Sequence, residues 1–232
     1  MAQEMEVRGA RHAGPPLGAL AIVYAVLFCA GLYPVMSFSG GAHFPGPWEP
    51  VETIAAYFKL HPRAVLLGAF FQFGAAVPLG IFTATIVSRL RFLGVKAAGA
   101  TIALYGGLAA SFTMTCTAIV LWVMTRPGVA DDVPLTQALY YLGFGLGGVG
   151  YSVPVALLIS GVSVTALFYR LVPKWIAILG LVLAGCGVLS WLNILFPQAV
   201  FFIPLTRFPG FVWMIAVGFA LPARARGAEA RS

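Results

Sequence analysis

The chain is predicted to be an all-α membrane protein, a bundle of six transmembrane helices, and three observations predict it. Six apolar runs, residues 17–36, 64–88, 97–125, 145–169, 175–195 and 200–221, each reach or exceed the ~20 residues a helix needs to cross ~30 Å of hydrocarbon. With 60% hydrophobic and 9% charged residues and a mean hydropathy of +0.94, the composition excludes a water-soluble fold, whose surface carries several times more charge. The basic residues, finally, gather at every second crossing point. An unpaired backbone amide in lipid costs several kcal/mol, so spans of this length are helices and not an open sheet. The ~10-residue alternating segments of a β-barrel do not occur.

Charge then orients the spans. One side collects Arg8, Arg11, Arg89, Arg91, Lys96, Arg170, Lys174, Arg224, Arg226 and Arg231, against only Glu4, Glu6 and Glu229. On the other side Lys59, Arg63, Arg126 and Arg207 are cancelled by Glu49, Glu52, Asp131 and Asp132, so the whole formal charge of +7 falls on one face. By the positive-inside rule both termini are expected in the cytoplasm of a cell with the chain in its inner (plasma) membrane. The pI near 9.7 therefore reports topology: the cations flank spans, where they meet anionic headgroups, and form no basic stripe interleaved with aromatics for nucleic acid. A single transmembrane domain covers residues 1–232, with a cytoplasmic segment 1–16, an outer loop 37–63 and a basic cytoplasmic tail 222–232.

The first run follows Arg8 and Arg11 as a signal peptide would, yet it is too long for the apolar region of one and no small-residue cleavage site follows, so it is expected to be retained. Bulky Leu27 and Phe28 before Cys29 argue against a lipoprotein site. The outer loop opens with an irregular stretch rich in Gly, Ser and Pro, residues 37–47. Pro50 and Glu52 then start a short amphipathic outer helix over 51–60, with Val51, Ile54, Ala55 and Phe58 on one side. Its expected role is to lie on the membrane or cap the bundle; the sharper alternative is a gate.

Spans two and four share Gly74-x-x-Val77-Pro78 and Gly150-x-x-Val153-Pro154, continue through hydroxyl residues and end in Arg89-Leu90 and Arg170-Leu171. Pro50 and Pro134 precede them, and together these features suggest a duplicated hairpin. Pro78 and Pro154 are expected helix kinks, since proline removes a backbone hydrogen bond and frees a carbonyl. Paired interruptions of this kind mark substrate sites in some transporters, but Gly143, Gly145, Gly147, Gly148 and Gly150 read first as helix contacts.

Arg207 is the principal candidate residue. A span beginning near Val200 places it roughly 10 Å below the outer end, where a lone cation costs up to ~3 kcal/mol, and no Asp or Glu lies in any span to neutralise it. The competing reading has Pro204 and Pro209 break the helix into an interfacial elbow from which Arg207 snorkels to the headgroups. At similar depth come Gln72, Asn193, Ser111, Thr115, Tyr151 and Ser152, which with Arg207 could line an outward-open pocket for an anionic or carboxylate-bearing ligand or a lipid headgroup. Serine and threonine in membrane helices also bond their own backbone, the bland account of Ser111 and Thr115.

Enzyme chemistry lacks its parts. There is no His-Glu-x-x-His, Gly-x-Ser-x-Gly, phosphate loop or pair of intramembrane carboxylates, so the chain is not expected to be an enzyme. Cys29, Cys116 and Cys186 fall in separate spans and His12, His43 and His61 outside all of them, so no metal or cofactor is expected; a haem held by His43 and His61 at the surface is the one alternative. The helix at Pro50 to Phe58, the Arg89-x-Arg91 turn, and the segment Phe208-Pro209-Gly210-Phe211-Val212-Trp213 before a basic tail resemble an uncharacterised class of bacterial six-span membrane proteins, a domain of unknown function. The resemblance covers most of the chain and implies the six-span architecture without supplying catalytic residues. Two functional expectations stand. The bundle binds or passes a small anionic or amphipathic ligand or lipid through an outer pocket, as a transporter or binder; or it is a structural or interaction subunit whose Gly-rich faces dock on a membrane-protein partner or on further copies of itself. Membrane lipids are partners in either case, and nucleic acid in neither.

Overall fold

The computed structural model describes residues 11–36 and 43–224 and is helical throughout. Six of its helical stretches are long and apolar enough to cross a membrane, making the chain a multi-pass helical membrane protein. Helix α1 (Leu17–Leu32) ends in a short 3-10 turn at Tyr33–Val35, where Pro34 prevents its continuation. Helix α2 (Val51–Leu60) is the short helix expected between the first two spans, with Ile54, Ala55, Tyr57 and Phe58 buried and Glu52 and Lys59 exposed. One residue later Pro62, suited to a first turn, opens α3 (Pro62–Phe92), whose 31 residues reach about 46 Å. Gly94 stops it in the left-handed region (φ 87°), with the Val95 N–H donating to Leu90 O, a closure that favours glycine. Helix α4 (Gly99–Met124) follows. The expected irregular stretch holds for residues 43–46; positions 37–42, like 1–10 and 225–232, lie outside the described residues.

The fourth span departs from expectation. It begins at Val133, twelve residues before the expected 145, as α5 (Val133–Gly147), and continues as α6 (Val149–Phe168). Asp132 caps its start by accepting a hydrogen bond from the Leu135 N–H at 3.0 Å, and Pro134 fits the first turn. Gly143, Gly145 and Gly147 lie within α5, with Gly143 against Val120 and Gly147 against Thr117 of α4, and the interruption falls at Gly148. Pro78 and Pro154, the expected kinks, lie inside helices that run on through them. The Arg-Leu ends of the suggested repeat are not equivalent either: Arg89 lies within α3 and is buried, whereas Arg170 follows α6 and itself adopts the left-handed conformation (φ 51°).

Helix α7 (Lys174–Leu189) and a 3-10 turn at Ser190–Ile194 form the fifth span, and a 3-10 turn at Pro197–Phe201 leads into α8 (Phe202–Ala220). There is no elbow. Pro204 sits in the first turn, where no N–H donor is needed, and α8 continues through Pro209.

The six spans form a closed ring in which α1 packs on α3, α3 on α4, α4 on α6, α6 on α7, α7 on α8 and α8 back on α1. Small residues set the closest approaches: Gly99 and Gly106 of α4 lie against Gly161 and the Pro154–Leu158 backbone of α6, and Gly218 of α8 lies against Gly18 of α1. The described chain ends meet at one end of the bundle, where Arg11 and Arg224 form an antiparallel bridge and the His12 N–H donates to Ala223 O at 2.8 Å. At the opposite end α2 caps the ring against α5, joining Phe44, Val65, Met124 and Tyr140 in an aromatic-rich cluster.

Candidate functional site

Beneath that cap lies a cavity of about 300 Å³ inside the ring. Phe28 and Leu32 of α1, Val35 of the turn that ends it, Gly68 and Gln72 of α3, Met114, Thr117 and Leu121 of α4, Phe144 and Gly147 of α5, Tyr151 of α6, and Ile203, Arg207 and Phe208 of α8 line it. The wall is mostly apolar with one cation, the composition of a small-molecule site whose few polar groups fix orientation.

The break at Gly148 explains how the ring accommodates Arg207. A helix that stops leaves its last carbonyls without donors, and in lipid no water replaces them. The Gly148 N–H donates to Phe144 O at 2.7 Å, and the Arg207 guanidinium donates through Nη2 to Gly147 O. A cation at a helix C-terminus is also favoured by the helix dipole. The guanidinium carbon stands 4.7 Å from the centre of the Tyr151 ring and 5.2 Å from that of Phe28, two aromatic faces of the kind that stabilise a desolvated cation by up to about 2 kcal/mol each. Together these contacts offset the insertion cost of a lone arginine. They leave Nε buried and without a hydrogen-bond partner among the described residues.

Below Arg207 the hydroxyls of Tyr24 and Tyr151 bond each other across the ring, and the Tyr24 ring meets Phe211 edge-on at 5.2 Å. Both tyrosines are buried, so this pair forms a floor. On the cap side the Tyr140 hydroxyl donates to Pro45 O at 2.6 Å, pinning the chain that leads to α2. Burial pushes the neighbouring Tyr57 hydroxyl pKa up. Lys59 and Asp131 form an exposed ion pair at 2.6 Å between α2 and the loop before α5.

Of the seven residues singled out from sequence, Arg207, Gln72 and Tyr151 line the cavity. The other four are placed elsewhere. Ser111 donates to Ala76 O of α3 at 2.7 Å, and Thr115 bonds its own helix at Ser111 O at 3.0 Å. Ser152 is fully buried on the side of α6 that meets Gly187 of α7, its hydroxyl unpartnered among the described residues. Asn193 donates to Pro197 O at 3.1 Å and ties together the turn between spans five and six. Phe28, Tyr24, Met114 and Thr117 were missed, although Tyr24 and Phe28, spaced four apart on α1, were a readable signal for one aromatic face. His43 stands 3.8 Å from Glu49, and the His61 ring lies beside Tyr57 at 5.0 Å. Among the described residues no three His, Cys, Asp or Glu cluster as metal ligands would. Compared with known proteins, the chain matches no family model, no curated protein and no solved structure.

Proposed function

We propose that the chain binds, and by binding passes, a small anionic or amphipathic molecule in the cavity beneath α2, and that it does no covalent chemistry. The observation that carries this reading is a guanidinium with an unpartnered buried Nε in the wall of an otherwise apolar cavity. A carboxylate or phosphate head would take a charge-assisted hydrogen bond from the accessible part of the guanidinium, with the Gln72 amide as a second donor and the apolar wall receiving the rest of the molecule. The charge pattern of the loops supports a topology with both termini in the cytoplasm and the α2 cap facing outward.

A second reading has its own observation. Arg207 already serves Gly147 O and two rings, so it can be a structural clamp on the α5–α6 joint within a subunit that docks on partner helices. Titration of the purified protein with octanoate separates the two. A hydrogen bond to a charged group is worth ~1.5–3 kcal/mol, so Arg207→Gln should weaken octanoate about 10- to 100-fold. Equal affinity in both proteins would remove the ligand site and leave the clamp.

A further inference from the structure

Two features of the ring bear on where the ligand comes from: α1 and α8 pack closely at one end only, and the cavity lies between them at the other. At the end that holds Arg11 and Arg224, a Cβ on Gly218 would stand 2.8 Å from the backbone nitrogen of Gly18, so the two helices touch backbone to backbone. Midway, Phe211 meets Tyr24 and Phe28 at 5.2 Å. Beyond Phe28 the partners change. Gly31 of α1 lies against Gly68 O of α3, where a Cβ would come within 3.2 Å, and the turn that ends α1 packs on α3. Over the same height α8 leans the other way, with Arg207 on Gly147, Ile203 against Gly148 and Thr206 against Gly187. Leu32 and Val35 on one side and Ile203, Arg207 and Phe208 on the other line the cavity left between them.

Phe208 locates the opening. It belongs to the outward stripe of α8 formed with Leu205, Val212 and Phe219, all exposed, and it also lines the cavity. It lies six residues past Phe202, roughly 9 Å along the helix axis, at a level where the outside of the ring faces hydrocarbon. Size sets the second constraint. At ~30 Å³ for each water-sized unit, the cavity holds about ten non-hydrogen atoms, the size of an eight-carbon carboxylate and far less than a two-chain lipid.

We infer that the cavity takes a single-chain amphiphile with an anionic head, drawn sideways from the bilayer through the divergence of α1 and α8. The head lies at Arg207, the first carbons fill the cavity, and a longer chain leaves past Phe208 into lipid. This rests on the ligand reading of Arg207. A carboxylate and a phosphate monoester share the chemistry the guanidinium recognises, and the size of the cavity favours the smaller head.

The test closes the divergence without altering the cavity. Cys29, Cys116 and Cys186 are replaced by Ala, Tyr33→Cys and Leu205→Cys are introduced at exposed positions that do not line the cavity, and the folded protein in liposomes is bridged across the two helices with a reductively cleavable bis-maleimide. Exchange of pyrene-labelled hexadecanoate with the bilayer and the rate and affinity of octanoate binding from water are measured before bridging, after it, and after cleavage. Bridging is expected to slow hexadecanoate exchange about tenfold or more, as closure of an entrance does, to leave the rate of octanoate binding within about twofold, and to be reversed by cleavage. Unchanged hexadecanoate exchange in the bridged protein overturns the lateral route. Equal slowing of both probes overturns the bilayer as source, because the divergence then also admits ligand from water. Arg207→Gln, in the unbridged protein, is expected to weaken both probes; if it weakens neither, the ligand reading itself fails, independently of the route.

Discussion

The seam between α4 and α6 fixes where Met114, Thr117 and Tyr151 stand around the cavity, and it gives a prediction whose magnitude follows from the geometry. A Cβ on Gly106 would stand 2.4 Å from Pro154 O and 2.6 Å from both Leu157 Cβ and the Leu158 nitrogen. One on Gly161 would stand 2.4 Å from Gly99 O and 2.8 Å from the Ala103 nitrogen. Most of these neighbours are backbone, which no rotamer change can clear, so Gly106→Ala or Gly161→Ala must part the helices by about 1 Å. A gap of that size forfeits a quarter to a half of each contact's dispersion energy. Overpacking of this kind costs about 2–3 kcal/mol, less about 1 kcal/mol returned by the better helix former, for a net loss of about 1–2 kcal/mol each. Both substitutions need the same separation, so the double variant should lose about 1 kcal/mol less than the two singles combined. Gly145→Ala is the control. Nothing lies within 4 Å of its Cβ, and it should stabilise by about 0.5–1 kcal/mol. Unfolding in mixed micelles measures all four variants. If Gly106→Ala behaves like Gly145→Ala, or if the double variant is strictly additive, the close seam does not exist as described.

Two more expectations concern the floor and wall of the cavity. Tyr24→Phe or Tyr151→Phe alone strands one buried hydroxyl and should cost about 1–3 kcal/mol, whereas the double variant removes both partners and should cost less than either single one, as a double-mutant cycle by unfolding would show. Ser111→Ala should cost about 0.6 kcal/mol and at most about 1.7, the range for interhelical hydrogen bonds in membranes, and should leave octanoate binding unchanged because Ser111 spends its hydroxyl on Ala76 O; weaker binding on titration would return Ser111 to the site.

The spans were legible because length and apolarity are local properties, and the short helix at 51–60 because its buried and exposed residues separate cleanly. The start of span four was not, because residues 143–150 carry five glycines, a run that lowers helix propensity by ~1 kcal/mol for each helical position, and the packing of Gly143 and Gly147 on Val120 and Thr117 of α4 is a tertiary relation. Arg207 announced itself as an unpaired cation in an apolar run. Gln72 and Tyr151 followed from depth along their helices, which the sequence supplies. What it does not supply is azimuth. The apolar and hydroxyl residues of α4 are spread around its circumference, so nothing marks Met114, Thr117 and Leu121 as the inward face, and Ser111 and Thr115, at similar depth, spend their hydroxyls on backbone carbonyls. Ser152 is one residue from Tyr151 and so turned ~100° away from it. The role of Gly147 as acceptor for Arg207 pairs positions sixty residues apart, a relation no local pattern records.

Because α8 packs back on α1, the ring has a seam that joins the first span to the last. During synthesis the Gly18 and Tyr24 face of α1 emerges from the ribosome early and must wait for five further spans before Gly218 and Phe211 arrive to cover it. Until then that face meets lipid or the insertion machinery, and the cavity lacks the Ile203, Arg207 and Phe208 side that α8 supplies. Assembly therefore finishes in one late step, and a chain shortened before Phe202 would leave the whole α8 side of the cavity bare, where the finished protein is parted only between the outer halves of α1 and α8.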